Sequence, residues 1–226
     1  MGENIRELAL DSLIEIMEND KFSHVVINDV LTKYRYLDKK DRAFYTKLVH
    51  GTLENVIYID FVIDSFSKTK TKKMKPLIRN LIRMSVYQIG FMDSVPASAI
   101  CNEAVKLAGK RGFSGLKGFV NGVLRNISRN YDTIVIPQEN FVRYLSIKYS
   151  FPEWMIKMWM EQYSQEITEK ILEGFEKENK LCARINARPD QFEEVLSSLK
   201  ASGVEVEAGD YVKEAIKISG FDNLNP

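Results

Sequence analysis

Apolar residues recur at helical spacing along the first 130 positions of the chain. Ile5, Leu8, Ala9, Leu13, Ile16 and Met17 share one face of a helix from about Glu3 to Asn19. Val26, Ile27, Val30 and Leu31 predict a second helix over Ser23 to Tyr36. Asp38 is placed to cap a longer third segment whose apolar pattern continues to Phe66, with Asp41 near the reciprocal capping position. Gly51 interrupts that pattern. A glycine inside a helix costs about 1 kcal/mol against alanine, so Gly51 marks a close helix crossing or a break. Pro76 suits the first turn of the next helix, which runs to about Met92 and carries apolar side chains all round, Leu77, Ile78, Leu81, Ile82, Val86 and Ile89 among them. Such a helix belongs at the centre of a bundle. Arg83 lies on it, and Asp60 lies inside the apolar run VIYIDFVID. Each would be costly to bury alone, so the two are predicted to be neighbours or to find other buried partners. Pro96 opens a further helix through Lys106 to Gly109. After a KRGFSG turn, Ser114 is placed to cap a last bundle helix with Leu116, Phe119, Val120, Val123, Leu124 and Ile127 inward.

Beyond residue 130 the pattern loosens and then changes period. Pro152 starts a short helix bearing Trp154, Met155, Met158 and Trp159, and Ile167, Ile171 and Phe175 mark another. The aromatics there serve packing between domains or base stacking. From Leu181 the period becomes two: Leu181, Ala183, Ile185 and Ala187 alternate with Cys182, Arg184, Asn186 and Arg188, which predicts a strand. A helix from Gln191 to Ala201 follows, ended by Gly203, and Val204 to Val206 and Ala215 to Ile218 supply two more strands. The expected fold is mainly α: a helical bundle over 1–138, a helical linker or brace over 139–179, and a partial α+β unit of β-α-β-β order over 180–226.

Composition changes the picture only locally. The chain is 45% hydrophobic and 28% charged with a net charge of +1, so any polyanionic partner must be argued from clusters rather than totals. Two clusters exist. Residues 65–83 hold seven Lys/Arg and no acid, the first part, with Lys72 and Lys73, reading as a mobile basic loop. Residues 102–130 hold six Lys/Arg against one acid, Glu103. In that stretch Lys117, Asn121, Arg125 and Arg129 stand four apart on the polar side of the helix, Lys110 and Arg111 sit at its turn, and Gly118 and Gly122 lie beside the stripe. Together these residues read either as a phosphate-binding ridge or as a solvated helix face. The linker is acidic, with eight acids to five bases over 139–178, a face that disfavours RNA.

Other chemistry is thin. Cys101 and Cys182 are far apart in sequence with no CxxC context, which argues for a reducing compartment without a disulfide framework or zinc site. His24 and His50 are the only histidines and have no ligand partners at metal spacing. No segment reaches membrane-span length and the start lacks a secretory core, so a cytoplasmic protein without a membrane role is expected, and a monomer.

The strings VPASAICNEAVKLAGKRGFSGLKGFVNGVLRNI, PLIRNLIRMSVYQIGF and NIRELALDSLIEI together resemble the NusB-like helical domain over residues 3–130, with NEAV and FVNGVLR the specific part. That domain occurs alone in the NusB antitermination factor and as the N-terminal part of the RsmB/Sun family of 16S ribosomal RNA cytosine-C5 methyltransferases. YSFPEWMIKMW and the RIN string after it look like the linker of the second family, and 181–218 resembles the start of the small α+β subdomain before its catalytic domain. The resemblance implies RNA binding and 16S rRNA as partner, with S-adenosylmethionine as cofactor of the parent enzyme and none in this stretch. It also implies that the missing catalytic domain packs on the linker and that these 226 residues carry no catalysis themselves, since neither cysteine matches the family's nucleophile motifs. A NusB-type antitermination factor and a helical protein-protein interaction module are the alternatives. Against the first stands the start MGENIRELAL, with only Arg6 where free-standing factors typically carry an arginine-rich segment.

Overall fold

Side chains at helix starts satisfy the backbone N–H groups that a helix leaves unpaired. Asn4 Oδ1 accepts from the N–H groups of Arg6 and Glu7, Asp38 Oδ1 accepts from Asp41 at 2.8 Å, and Asn140 Oδ1 accepts from Arg143 at 3.0 Å. They begin α1 (Ile5–Met17), α3 (Lys39–Glu54) and α8 (Phe141–Tyr149). The other helices are α2 (Ser23–Lys33), α4 (Val56–Phe66), α5 (Pro76–Phe91), α6 (Ala97–Lys110), α7 (Lys117–Asn130), α9 (Glu153–Gln162), α10 (Gln165–Glu176) and α11 (Phe192–Ala201). The structure, a computed structural model, describes residues 3–93, 95–176, 181–186, 188, 191–212 and 214–219.

The hydrophobic pattern of α5 is realised as a central helix. Ile78, Leu81, Ile82, Met84 and Val86 are buried around its circumference, and it packs against α1, α3, α4, α6 and α7. Leu10, Leu13, Leu48, Ile59 and Ile63 complete the core from the surrounding helices. Arg83 and Asp60 are the predicted neighbours, joined by two hydrogen bonds of 2.6–2.7 Å.

The long third segment is two helices. Its break falls at Asn55, whose side-chain Nδ2 donates to Gly51 O at 2.9 Å. Gly51 itself stays helical and makes the close crossing: a Cβ built there would lie 2.0 Å from Cζ of Tyr87 on α5. The basic segment before α5 is not a free loop either. Asp64 Oδ1 accepts from Thr71 N–H at 2.7 Å, Thr71 is buried, and Thr71–Lys73 form a 3-10 turn.

Residues 1–170 and 171–226 form two separate units, the division falling within α10. In the first, α8 packs on α4 and α9 on α8, with Leu145, Ile147 and Ile156 buried. Ser150 ends α8 at φ +56, and its Oγ accepts from Ile57 N–H at 3.1 Å, tying this corner to the start of α4. In the second unit β1 (Leu181–Arg184), β2 (Glu205–Ala208) and β3 (Ala215–Ser219) form an antiparallel sheet in the order β1-β3-β2. Ala183 faces Ile216 and Val206 faces Ile218. Ile185, Ile216 and Ile218 pack beneath Phe192, Val195, Leu196 and Leu199 of α11. The first strand ends at Arg184, short of the expected Arg188, while Ala187 and the expected boundary at 179–180 lie outside the described residues. None of the described helices is long and apolar enough to cross a membrane.

Candidate nucleic-acid interface

α6 and α7 meet through a turn built by backbone geometry. Gly112 adopts φ +84, which favours glycine, and Phe113 N–H returns to Ala108 O at 2.8 Å to close the end of α6. Ser114–Leu116 then form a 3-10 turn, and α7 begins at Lys117 without a side-chain cap. Ser114 therefore does not cap the helix: the turn has spent those residues before the α-helix starts. Val120, Val123, Leu124 and Ile127 are buried, which fixes the opposite face of α7 outward.

A groove of about 510 Å³ opens between the two helices. Lys117, Gly118, Asn121 and Arg125 line it from α7, and Asn102, Val105 and Lys106 from α6. Arg125 Nε donates to Asn121 Oδ1 at 2.9 Å. The Lys117 stem lies over Gly109, where a built Cβ would come within 2.1 Å of its Cε. At Gly118 and Gly122 a Cβ would meet nothing within 4 Å. Among the described residues no carboxylate lines the groove, although Glu103 holds Lys106 in an ion pair of 2.7 Å beside it.

The structure thus brings Lys117, Asn121 and Arg125 into one groove, with Arg129 exposed one turn further along α7. Lys110 and Arg111 face α1 instead, Lys110 pairing with Glu7 at 2.6 Å and Arg111 with Asp11 at 2.5 Å. Lys72 and Lys73 sit on the exposed 3-10 turn, and that segment starts beside α7, where Asn126 Nδ2 donates to Phe66 O at 3.1 Å. Asn102 and Lys106 are groove residues that the stripe on α7 does not reveal. Their signal is a four-residue step on α6, matching that of Lys117 and Asn121.

Other sites compare poorly. A larger cleft of about 610 Å³ at the start of α1 is lined by Glu3, Asp41 and Glu103 against Arg6 and Lys40, an excess of carboxylates that disfavours a polyanion. Burial pushes the Cys101 thiol up, against the opposing pull of Arg125, so it is a packed side chain rather than an activated nucleophile. Among the described residues no His, Cys, Asp and Glu cluster could hold a metal ion.

Fold and groove define a helical bundle with a cationic cleft, followed by a small antiparallel α+β unit. Residues 3–129 match the NusB family, and residues 151–224 match the ferredoxin-like domain of RsmF/B-like methyltransferases. The chain belongs to the NusB family, in the two-part arrangement of the RsmB/Sun methyltransferases. It is 36% identical over 219 residues to a probable ribosomal RNA small subunit methyltransferase B of Bacillus subtilis, covering 95% of this chain and 48% of that protein. It is 32% identical over 129 residues to the transcription antitermination protein NusB of Bacillus velezensis, covering 57% of this chain and 95% of that one. The crystal structure of PH0851 has the same fold over 100% of this chain and 51% of its own, with a TM-score of 0.66 at 21% identity. The chain spans about half the length of the curated methyltransferases it matches.

Proposed function

We propose that these residues are the RNA-docking and positioning part of an S-adenosylmethionine-dependent methyltransferase that acts on cytosine C5 of 16S rRNA. The observation that carries this reading is the groove of Lys117, Asn121 and Arg125, open at Gly118 and, among the described residues, free of lining carboxylates. Phosphate contacts of this kind give affinity and register rather than sequence choice. Base selection and methyl transfer then fall to parts of the enzyme outside this sequence. The described residues do not fit a site for the methyl donor: the segment between β1 and α11 has no glycine, and the sheet is antiparallel, whereas such cofactors sit at a Gly-rich turn of a parallel sheet. No catalytic step is assigned to these residues. Trp154, 64% exposed, and Met158 on α9 offer the linker face on which the catalytic part packs. A cytoplasmic monomer belongs to the same reading.

The antitermination factor is the second reading. The NusB relative is matched almost whole by the first part of this chain. Residues 151–224 match the methyltransferase-associated domain instead, which favours the first.

Replacing Lys117, Arg125 and Arg129 together with Ala tests the groove, because all three point away from the core and folding should survive. Binding to a small-subunit rRNA fragment should weaken, and the log–log salt slope should shrink by about 0.7–0.9 per lost contact. Unchanged affinity and slope would leave a solvated helix face, and with it the protein-protein interaction module. Lys110, Arg111, Lys72 and Lys73 are assigned supporting contacts, with Lys110 and Arg111 weaker because acids of α1 already hold them.

A further inference from the structure

We propose that the α6–α7 groove takes one unpaired RNA base, read by the carboxamides of Asn102 and Asn121, with phosphates held on its rim. This rests on the RNA-docking reading and goes beyond it, because a phosphate ridge needs cations and does not need a slot.

The orientation of Asn121 is the first observation. An arginine side chain only donates, so the 2.9 Å bond from Arg125 Nε identifies the atom facing it as the Asn121 carbonyl oxygen. The amide NH₂ therefore points away from Arg125, and among the described residues no acceptor is bonded to it. Asn121 is half-buried in the groove wall, so that donor is presented from a fixed position rather than from a free side chain. Asn102 stands on the α6 wall as a second carboxamide.

The second observation is the empty space between these walls. Gly118 is bare backbone with nothing within 4 Å of a built Cβ, and Val105 offers an apolar patch on the opposite helix. The groove volume, about 510 Å³, falls in the ~300–1,000 Å³ range of small-ligand pockets. A flat base fits such a slot, with a carbonyl on its edge accepting from the Asn121 amide. Lys106, Lys117 and Arg125 stand at the rim, where the flanking phosphates of an extended strand would lie. In duplex RNA the base edges are paired, and the deep, narrow major groove keeps side chains from them, so the base in the slot must be unpaired.

The test uses the whole 226-residue chain and three labelled RNAs of equal length: single-stranded oligouridine, the same backbone with abasic riboses, and a duplex. Uracil is the probe because its two carbonyl oxygens match a donor. Anisotropy titrations at fixed low salt should show oligouridine binding about five- to ten-fold more tightly than the abasic strand, the range expected for one or two added hydrogen bonds and an excluded surface. Gly118→Leu should fold, since the position is open and leucine favours a helix. Gly118→Leu and Asn121→Ala should each bring the ratio of oligouridine to abasic affinity down to about one. Equal binding of oligouridine and abasic strand by the unmodified chain would sink the slot and leave the phosphate ridge standing. The slot also falls if the duplex binds as tightly as oligouridine, or if Gly118→Leu weakens both strands alike. Absence of salt-dependent binding to all three RNAs would remove the RNA-docking reading itself.

Discussion

Arg83 carries its charge into the bundle, only 9% exposed, and each nitrogen of its guanidinium donates a hydrogen bond. Nε and Nη2 donate to the two oxygens of Asp60 at 2.7 and 2.6 Å, and Nη1 donates to Asn80 Oδ1 at 3.2 Å. Asn80 and Arg79 in turn donate to Glu18, so the pair sits in a network joining α1, α4 and α5. Removing one partner leaves a buried cation unmatched, which costs more than the pair contributes. Asp60→Ala should lower stability by about 2–4 kcal/mol, with Asp60→Asn losing less, read from urea unfolding midpoints. Tyrosines packed in the bundle make a second point. Burial raises the phenols of Tyr45, Tyr87 and Tyr131 above the ordinary value, Tyr58 adding to the effect at Tyr131. Groups raised on folding contribute stability that is complete below the unfolded value, about 10 for tyrosine, and lost as pH rises through the folded value. The unfolding midpoint should therefore hold steady up to about pH 9 and fall above about pH 10, with tyrosinate absorbance appearing together with unfolding.

Between helices, glycines act through what faces them. At Gly51 a Cβ would fall 2.0–2.4 Å from the Tyr87 ring, which is itself stacked on Phe91 at 5.2 Å between centroids. The ring has little room to yield, so α3 and α5 would have to separate. Gly51→Ala should cost about 1–3 kcal/mol despite the roughly 1 kcal/mol gained in helix propensity. Gly122 has the same sequence setting, a glycine inside a helix, and open space instead of a ring. Gly122→Ala should stabilise by about 0.5–1 kcal/mol. Thermal unfolding of the two variants side by side should show shifts of opposite sign.

For the first unit as a body, the weakest stretch lies between α7 and α8. Residues 134–140 form no helix, Val135 is 80% exposed, and the backbone bonds there lie only at the two ends, Ile134 N–H donating to Tyr131 O and Asn140 O accepting from Tyr144 N–H. A broad-specificity protease should cut first within 134–140, followed by gel and mass analysis of the products. The basic segment 68–75, expected from its sequence to be equally open, should be cut more slowly because Asp64 and the burial of Thr71 hold it. Early cleavage within α8 or α9 would contradict the packing of α8 on α4 and of α9 on α8.

Periodicity was enough to place α1, α2, α5, α7 and α11 and to detect the change to strands, because a helix or strand that buries one face must repeat its apolar residues at its own period. It also marked Arg83 and Asp60 as needing partners, since burial of charge has the same cost wherever the partner comes from. The division of the third segment at Asn55 rather than Gly51 could not be read this way: Tyr87, which makes the crossing, comes from another helix. The stripe on α7 shows which side of the helix each charge occupies. Only the assembled bundle sets Glu7 and Asp11 beside Lys110 and Arg111, and Asn102 and Lys106 across from Asn121 and Arg125. Spacing along one helix is local, whereas the charge balance and shape of a groove depend on every helix that borders it, and that is why the groove emerges only when the chain folds.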